Sequence, residues 1–497
     1  MNFKIIFFLL LIFGSVNAGP LAEEFFSLPR WRGFNLLAKF HKAWSNGPFL
    51  EEDFKMISSL GFNFVRLPMD YRVWCIDNNP EKINKDVLKD IDDAVNWAIK
   101  YNIHISLNFH RGPGYTVSDP PEPSSLWTDK KMQKLFIKHW CMFAKRYKKI
   151  KSSQLSFNLL NEPAGDTNVR KAYIEIVRKT VKAIRKIDPE RFIIVDGFNY
   201  GTEYLEELED LDIIQACRGY QPFQFTHYKA SWINGSSQWP QPVWPILGIS
   251  SFIYGPLKKE FQTPLEIKGT FPKGTLVKIN IYQVSTLSRL LIKADSNIIF
   301  DKTFLPKDGE GEWKKVIYEK QWNVYQNIYD REYETTIKTK ATNLVFENIE
   351  GDWLTFSQIV ILFPDGKNIV IKPDNSEWGK KQERFIIDGL SIKNLSGQNN
   401  GRDWLVTNVF KTWLDAYHRK NPVFIGEWGC YQYTPHDSVL RWMEDNLSLW
   451  KENNIGWALW NFRGSFGILD SGRDDVEYEK LNGHFLDRKM LDLLMRY

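Results

Sequence analysis

The sequence is poor in the residues that build metal sites and disulfide frameworks. Only four of its 497 residues are Cys and eight are His. No C-x-x-C motif or Cys/His cluster has the spacing of a zinc site. The four Cys lie far apart, at Cys75, Cys141, Cys217 and Cys430. We therefore expect no metal ion, and the sequence leaves any disulfide pairing open.

Long apolar runs and blocks of like charge are missing from almost the whole chain. After residue 18 no segment approaches the 18 apolar residues of a membrane span, so we expect no membrane partner. Lys and Arg number 65 against 60 Asp and Glu, without a basic block, so we expect no nucleic-acid partner. The one early apolar run, Ile5 to Phe13, precedes Val16-Asn17-Ala18, which is the pattern of a secretory signal peptide over residues 1–18. The mature protein is expected to be secreted, extracellular or periplasmic, and monomeric.

Aromatic residues, in contrast, are abundant. The chain has 20 Trp, 20 Tyr and 34 Phe, more than a core of this size requires. Flat aromatic faces are also the surfaces on which sugar rings stack. A carbohydrate ligand is therefore a hypothesis from composition alone.

Short apolar strands alternate with amphipathic helical patterns over most of the chain, which predicts βα units around a parallel sheet. Eight strands are expected, at Gly33–Leu37, Asn63–Leu67, Ile103–Phe109, Leu155–Leu160, Phe192–Val195, Ile213–Tyr220, Val423–Gly426 and Gly456–Trp460. Helical patterns cover Glu51–Leu60, Asn84–Tyr101, Asp129–Lys149, Asp166–Ile187, Asp403–Arg419, His436–Asn453 and Asp487–Arg496. The pattern is typical of an α/β fold of the (β/α)8 TIM-barrel type.

The gap of about 200 residues between the sixth and seventh strands is far longer than a βα connection. Residues 257–395 within it show the alternating pattern of an all-β sandwich. We therefore predict a barrel formed by residues 19–256 and 396–497, with a jelly-roll-like sandwich inserted between strand 6 and helix 6. The insert either binds carbohydrate or shapes the cleft. Its potential stacking residues are Trp313, Trp322, Trp353 and Trp378.

Tryptophans also occur in the predicted loops at the strand ends of the barrel. They are Trp74, Trp127, Trp232, Trp239 and Trp244. These residues could form the walls of a sugar-binding cleft or pack the insert against the barrel, and the sequence does not decide between the two.

Two acidic residues follow predicted barrel strands. Glu162 lies in Asn161-Glu162-Pro163 after strand 4, and Glu427 lies in Gly426-Glu427-Trp428-Gly429 at the end of strand 7. Active sites of TIM barrels lie at the C-terminal ends of the strands, so both carboxylates should face one bowl. A pair about 5 to 5.5 Å apart is what retaining glycoside hydrolysis requires.

Six short motifs give the chain its resemblance to the family-5 glycoside hydrolases, the cellulase-like group with acids on strands 4 and 7. In chain order they are Arg32-Gly-Phe-Asn35, Val65-Arg66-Leu-Pro68, Asn161-Glu162-Pro163, Phe225-Thr-His-Tyr228, Gly426-Glu427-Trp428-Gly429 and Trp457-Ala-Leu-Trp460-Asn461. Each motif is weak alone, but six in order at barrel spacing are specific.

The resemblance implies that Glu162 is the general acid/base and that Glu427 is the nucleophile. The two carboxylates must hold opposite protonation states, and Arg66 matches the family position whose cation keeps the nucleophile ionised. The charge on Glu427 would in turn raise the pKa of Glu162.

The same resemblance implies roles for four further residues. Asn161 matches the residue that binds the 2-hydroxyl of the sugar, and His110 matches a histidine that lines the same subsite. Trp460 matches the aromatic platform under the sugar, and Tyr220 matches the tyrosine that hydrogen-bonds the nucleophile. Structural alternatives for the first three are the capping of a strand end, a buried histidine and a core tryptophan.

One position departs from the family pattern. The family usually carries His two residues before the tyrosine, where this chain has Arg218. A guanidinium there adds a fixed positive charge that could alter the pH optimum or bind a particular sugar substituent. His227 is a candidate replacement for the missing imidazole.

Taken together, these features predict a secreted retaining β-glycoside hydrolase that acts by double displacement without a cofactor. An endo-β-1,4-glucanase of plant cell-wall polysaccharide is the expected activity. A β-mannanase, a xyloglucanase and an exo-β-glycosidase of the same family are alternatives, because loops decide among them. A non-catalytic carbohydrate-binding protein is a further alternative, against which the acid pair argues.

Overall fold

The computed structural model describes residues 19–239, 241–389, 391–395 and 401–497. The predicted signal peptide, residues 1–18, lies outside the described residues. No helix within the described ranges is long and apolar enough to cross a membrane. All four Cys are described, and their thiols are free.

Eight parallel strands close into a barrel, as the sequence predicts. In chain order they are β1 (Arg32–Asn35), β2 (Phe64–Asp70), β3 (His104–Gly112), β4 (Leu155–Asn158), β5 (Phe192–Asp196), β6 (Ile214–Gly219), β7 (Val423–Trp428) and β8 (Gly456–Leu459). Each strand pairs with its neighbour in the chain, and β8 pairs with β1 with Trp457 opposite Arg32. The strands are apolar and buried on both faces, because helices cover the outside and side chains fill the inside.

The helices around the barrel lie close to their predicted positions. The longer ones are Glu51–Ser59, Lys85–Lys100, Lys130–Tyr147, Thr167–Arg185, His436–Glu452 and Arg488–Arg496. Aspartate or asparagine side chains cap four of them, at Asn84, Asp129, Asp166 and Asp487. The predicted helix Asp403–Arg419 consists of Arg402–Leu405, a π-helical turn at Val406–Phe410, and Lys411–His418. A helix at Pro20–Ser27 was not predicted.

Several shorter elements lie in the connections. Short helices span Tyr71–Trp74, Ile76–Asn78, Phe198–Gly201, Glu206–Leu211, Phe223–Thr226, Ser236–Gln238 and Pro256–Lys258. Tyr115–Thr116 pairs with the end of β3, and Glu479–Leu481 pairs with His484–Leu486.

Two further sheets lie between β6 and β7. One has the order Ile328–Thr336, Leu276–Val284, Trp353–Leu362, Asn368–Ile371, with Phe252–Tyr254 also paired to Trp353–Leu362. The other has the order Asn297–Phe304, Ser288–Ala294, Ala341–Gly351, Leu265–Phe271, Arg384–Asp388, Ser391–Asn394. A small hairpin joins Tyr318–Glu319 to Val324–Tyr325. The two sheets share a hydrophobic core separate from that of the barrel, which is the arrangement of a sandwich.

The chain enters the sandwich through a segment fixed by Asp374. The carboxylate of Asp374 accepts hydrogen bonds from the backbone N–H groups of Leu247, Gly248 and Ile249. Ile249 and Ile253 already belong to the sandwich core. The boundaries 257–395 stay a prediction.

Candidate active site

The backbone of Glu162 is held in an unusual conformation at the end of β4. Its φ of 50° lies in the left-handed region, which costs a non-glycine residue energy. The N–H of Glu162 donates to Asp196 Oδ2 at 3.0 Å, and its carbonyl accepts from the Tyr115 hydroxyl at 2.6 Å. These two bonds fix the backbone on both sides of the side chain.

Glu427 lies on β7 beside Arg66 of β2. Arg66 Nη1 is 2.5 Å from Glu427 Oε1, and the two side chains are 1% and 4% exposed. The Tyr220 hydroxyl donates to Glu427 Oε2 at 3.3 Å. Burial of this ion pair makes the electrostatic interaction stronger than it would be on the surface.

Arg218 of β6 contacts both acids at once. Its Nε donates to Glu162 Oε1 at 2.9 Å, and its Nη2 lies 3.2 Å from Glu427 Oε1. Nη2 also contacts Asp196 Oδ2 in a short ion pair. The structure therefore brings Glu162 and Glu427 together around one buried guanidinium.

The pKa of Glu162 is raised to about 7. Burial is the largest cause, the negative charge of Glu427 is the second, and Arg218 opposes both. A carboxyl group with this pKa is protonated in a large fraction of molecules near neutral pH, as a general acid must be.

Asn161 lies between the two guanidinium groups. Its Oδ1 accepts from Arg66 Nη2 and from Arg218 Nη2, each at 2.9 Å. These two bonds orient the amide, because its oxygen is occupied by cations. Its Nδ2 is buried and has no partner in hydrogen-bonding geometry among the described residues. The amide also interacts with the imidazole of His110, so the two side chains are positioned together.

His110 and Trp460 form an aromatic wall with Phe40. The rings of His110 and Trp460 stack with centroids 5.8 Å apart, and Phe40 lies 4.3 Å from His110 and 5.6 Å from Trp460. The exposed Trp44 extends this wall from Phe40. Burial and the charges of Arg66, Arg218 and Arg111 lower the pKa of His110 well below its usual range, so the imidazole is neutral.

His227 packs against the ring of Tyr220. Its Nδ1 is 2.9 Å from the Thr226 hydroxyl, its ring stacks on Phe223 at 4.2 Å, and it meets the Tyr220 ring edge-on. Burial lowers the pKa of His227 to about 4. Within the described residues, no hydrogen bond joins His227 to Glu162 or Glu427.

The loop tryptophans divide into buried and exposed groups. Trp74 and Trp244 are fully buried and donate to His139 and Asp445, so the cleft-wall prediction is wrong for these two. Trp232 is 55% exposed and packs edge-on against Tyr431. Trp127 lies half-buried against Tyr115, and Trp239 is also half-buried.

Sequence reasoning missed three residues that touch this site. They are Asp196, which contacts Arg218 and Glu162; Tyr115, which binds the Glu162 carbonyl; and Phe40, which packs on His110. Asp196 ends the apolar run of β5, so the rule that found the other strand-end residues could have found it. Tyr115 and Phe40 lie beyond the strands and carry no such signal.

Known proteins similar to this chain are glycoside hydrolases. Residues 22–234 match the family model of cellulase (glycosyl hydrolase family 5). Endoglucanase C of Acetivibrio thermocellus is 35% identical over 222 residues, which are 43% of this chain and 64% of that protein. Cellodextrinase A of Ruminococcus flavefaciens is 29% identical over 186 residues, 37% of this chain and 54% of that protein.

A solved structure of a glycoside hydrolase is also similar. It is 28% identical to this chain, with a TM-score of 0.61, and the match covers 94% of this chain and 99% of the other. The chain spans 64% or less of the length of the two curated relatives above, and Glu427 lies outside the residues matched by the family model.

Proposed function

We propose, from the membership of this chain in glycosyl hydrolase family 5, that it is a retaining β-glycoside hydrolase. Glu162 is the general acid/base and Glu427 is the nucleophile in this proposal. The family model and the similar proteins confirm the resemblance to the family-5 glycoside hydrolases. The roles of individual residues are proposed from the geometry of the site.

The observation that carries the proposal is the contrast between the two carboxyl groups. Glu427 Oε1 contacts two guanidinium groups, those of Arg66 and Arg218. Burial and the neighbouring negative charge instead raise the pKa of Glu162 to about 7. A carboxyl held by two cations beside a second carboxyl with a raised pKa is the arrangement that acid-assisted nucleophilic attack requires.

The reaction takes two steps. In the first, a carboxylate oxygen of Glu427 bonds to the anomeric carbon while Glu162 transfers its proton to the departing glycosidic oxygen. The glycosyl-enzyme neutralises Glu427, so the pKa of Glu162 falls and its carboxylate can accept a proton. In the second step water loses that proton to Glu162 and attacks the anomeric carbon, releasing Glu427 and a sugar of the original configuration.

The other site residues bind and orient the sugar. Asn161 Nδ2, which is buried beside His110, is the proposed donor to the 2-hydroxyl. The rings of Trp460 and His110 form the platform beneath it. Tyr220 holds the second oxygen of Glu427, which keeps the nucleophile in one orientation.

An endo-β-1,4-glucanase secreted to act on plant cell-wall polysaccharide is the activity we propose. Similarity to an endoglucanase and to a cellodextrinase supports a β-glucan substrate. β-Mannanase, xyloglucanase and exo-acting variants of the same reaction are distinguished by a substrate panel, because the same acid pair serves all of them.

The test measures sugar release from β-glucan, cellulose, mannan, xylan and xyloglucan by the full chain. We expect Glu427→Ala and Glu162→Ala to lose at least 10² to 10⁴-fold in rate, and NMR to show the β-anomer as first product. Glu175→Ala, at an exposed glutamate on the helix Thr167–Arg185, is the matched control. Near-normal activity in either site variant, or release of the α-anomer, would refute the assignment.

We further propose that the inserted sandwich, residues 257–395, binds carbohydrate. Trp322 is 67% exposed and Trp378 is 50% exposed, whereas Trp353 is buried and Trp313 is packed against Tyr329. Only the first two could stack on a sugar. Trp322→Ala and Trp378→Ala should weaken retention on insoluble polysaccharide without changing the rate on a short soluble substrate. Unchanged retention in both would leave the insert with a structural role only.

A further inference from the structure

We propose that Arg218, anchored by Asp196, is the positioning residue that sets the protonation states of both catalytic carboxylates. This inference rests on the proposed function of Glu162 and Glu427. It assigns a role to Arg218, which stands where the family usually has histidine, and to Asp196, which holds Arg218 in place.

The geometry of Arg218 differs from that of a substrate-binding residue. Its side chain is 2% exposed, and its Nε and Nη2 atoms contact Glu162, Asp196 and Glu427. Its remaining nitrogen, Nη1, is buried next to Gly426, where an added Cβ would lie 2.8 Å from it, and it has no hydrogen-bond partner among the described residues. Two of the three guanidinium nitrogens, Nε and Nη2, are therefore committed to the acids.

Asp196 fixes where this guanidinium lies. Its side chain is fully buried, and its Oδ2 accepts from the Glu162 N–H as well as from Arg218. Its Oδ1 accepts from Asn158 Nδ2 at 2.9 Å. One carboxylate thus positions both the backbone of the acid/base and the cation beside its side chain.

The charges of the cluster balance only when one acid is protonated. Three carboxylates, those of Glu162, Glu427 and Asp196, face two permanent cations, Arg66 and Arg218. With all three ionised the buried site carries one net negative charge, and a single proton on Glu162 makes it neutral. Because net charge in a buried site is costly, the two arginines together favour the state with one proton.

A histidine in place of Arg218 would lose its charge near neutral pH. The net charge of the cluster would then change in the pH range in which the two acids must act. A guanidinium stays charged at every relevant pH. The groups that face Arg218 from the surrounding elements are Arg66 on β2, His110 on β3, Glu162 after β4, Asp196 on β5, Tyr220 after β6 and Glu427 on β7. The low pKa of His110 keeps that imidazole neutral, so it does not supply the missing titratable cation.

The test compares two variants that remove opposite charges from one ion pair. Arg218→Gln removes a cation, so both limbs of the pH profile of kcat/KM should move to higher pH by about 1 to 3 units. Asp196→Asn removes an anion and should move both limbs to lower pH. If Arg218 and Asp196 had a purely structural role, both variants would lose activity while the limbs of the pH profile stayed in place. Unmoved limbs, or limbs that shift in the same direction in both variants, would overturn the proposal.

One further variant and two controls keep the test decisive. Arg218→Lys retains the charge but not the fork of donors, so it should lower kcat while the limbs stay within about one pH unit of wild type. This variant decides the matter if Asp196→Asn does not fold, as judged by circular dichroism. Limbs displaced in Arg218→Lys as far as in Arg218→Gln would contradict a role for the charge. The exposed pair Arg178–Asp210 supplies the controls Arg178→Gln and Asp210→Asn, for which no limb should move.

A measurement without turnover separates this inference from the proposed function. In protein labelled with ¹³C at glutamate carboxyls, the Glu162 resonance, assigned with Glu162→Gln, should titrate higher in Arg218→Gln and lower in Asp196→Asn. If these shifts occur while no glycoside is cleaved, the positioning role stands and the proposed function fails. If glycosides are cleaved and the Glu162 resonance does not shift, the proposed function stands and the positioning role fails.

Discussion

The Tyr115 hydroxyl donates a 2.6 Å hydrogen bond to the backbone carbonyl of Glu162. Tyr115 belongs to the short strand Tyr115–Thr116, which pairs with the end of β3. The bond connects this short strand to Glu162, the proposed acid/base after β4. It holds the residue whose φ of 50° is costly for a side chain of this size.

Replacement of Tyr115 should therefore affect catalysis through the backbone of Glu162. Tyr115→Phe removes one hydrogen bond of about 1 kcal/mol and leaves the ring packed against Trp127. We expect kcat to fall by roughly 10-fold with little change in KM, because the acid and not the sugar platform is displaced. Steady-state kinetics on a soluble glucan measure this. Tyr282→Phe, at an exposed tyrosine of the sandwich, is the control, and an equal loss in both variants would contradict the role of Tyr115.

Removal of Arg66 should affect both stability and rate. Arg66 donates to Asn35, Asn158, Asn161 and Glu427, so Arg66→Met leaves a buried carboxylate with one cation instead of two. We expect the free energy of unfolding at pH 8 to fall by about 3 to 5 kcal/mol. Chemical denaturation gives the value. The Arg66→Met/Glu427→Gln double variant should recover part of the loss, and a loss that stays the same would show that the charge is not its cause.

Much of this architecture could be predicted from the sequence, because it depends on local patterns. The barrel strands are apolar on both faces, and the same pattern locates Arg66 within β2, Glu162 just after β4 and Glu427 near the C-terminal end of β7. The short helix Pro20–Ser27 was missed since eight residues carry little periodicity. The π-helical turn at Val406–Phe410 has no distinct sequence signature.

The part of the site that could not be predicted depends on packing between strands. Arg218 could be recognised as a departure from the family, but its contacts with both acids follow from the neighbouring positions of β6 and β7, where Arg218 lies opposite Glu427. Asp196 belongs to the other neighbour, β5. Side-chain direction also separates the exposed Trp232 from the buried Trp244, which the sequence pattern of their loop does not.

The raised pKa of Glu162 predicts a cost to stability at alkaline pH. The pKa of Glu162 rises from its ordinary value of 4.5 to about 7 in the folded protein. Ionisation of this carboxyl therefore destabilises the fold as the pH increases from about 4.5 to about 7. Glu162→Gln removes that titration. The variant should match wild type in unfolding free energy at pH 4 and exceed it by about 3 kcal/mol at pH 8. Denaturation curves at both pH values measure the difference, and a gap that does not change with pH would contradict the raised pKa.

The close approach of Arg218 to Gly426 predicts the effect of one methyl group. A Cβ at residue 426 would lie 2.8 Å from Arg218 Nη1 and 3.4 Å from the Ala216 Cβ, so Gly426→Ala must displace the guanidinium. Since that guanidinium contacts both carboxylates, we expect kcat to fall by about 10-fold or more and the pH limbs of kcat/KM to move, although no charge is changed. Gly47→Ala, where no atom lies within 4 Å of the added methyl, is the matched control. A Gly426→Ala enzyme with unchanged kinetics would mean that Arg218 can move without disturbing either acid, and its contacts would then have no catalytic consequence.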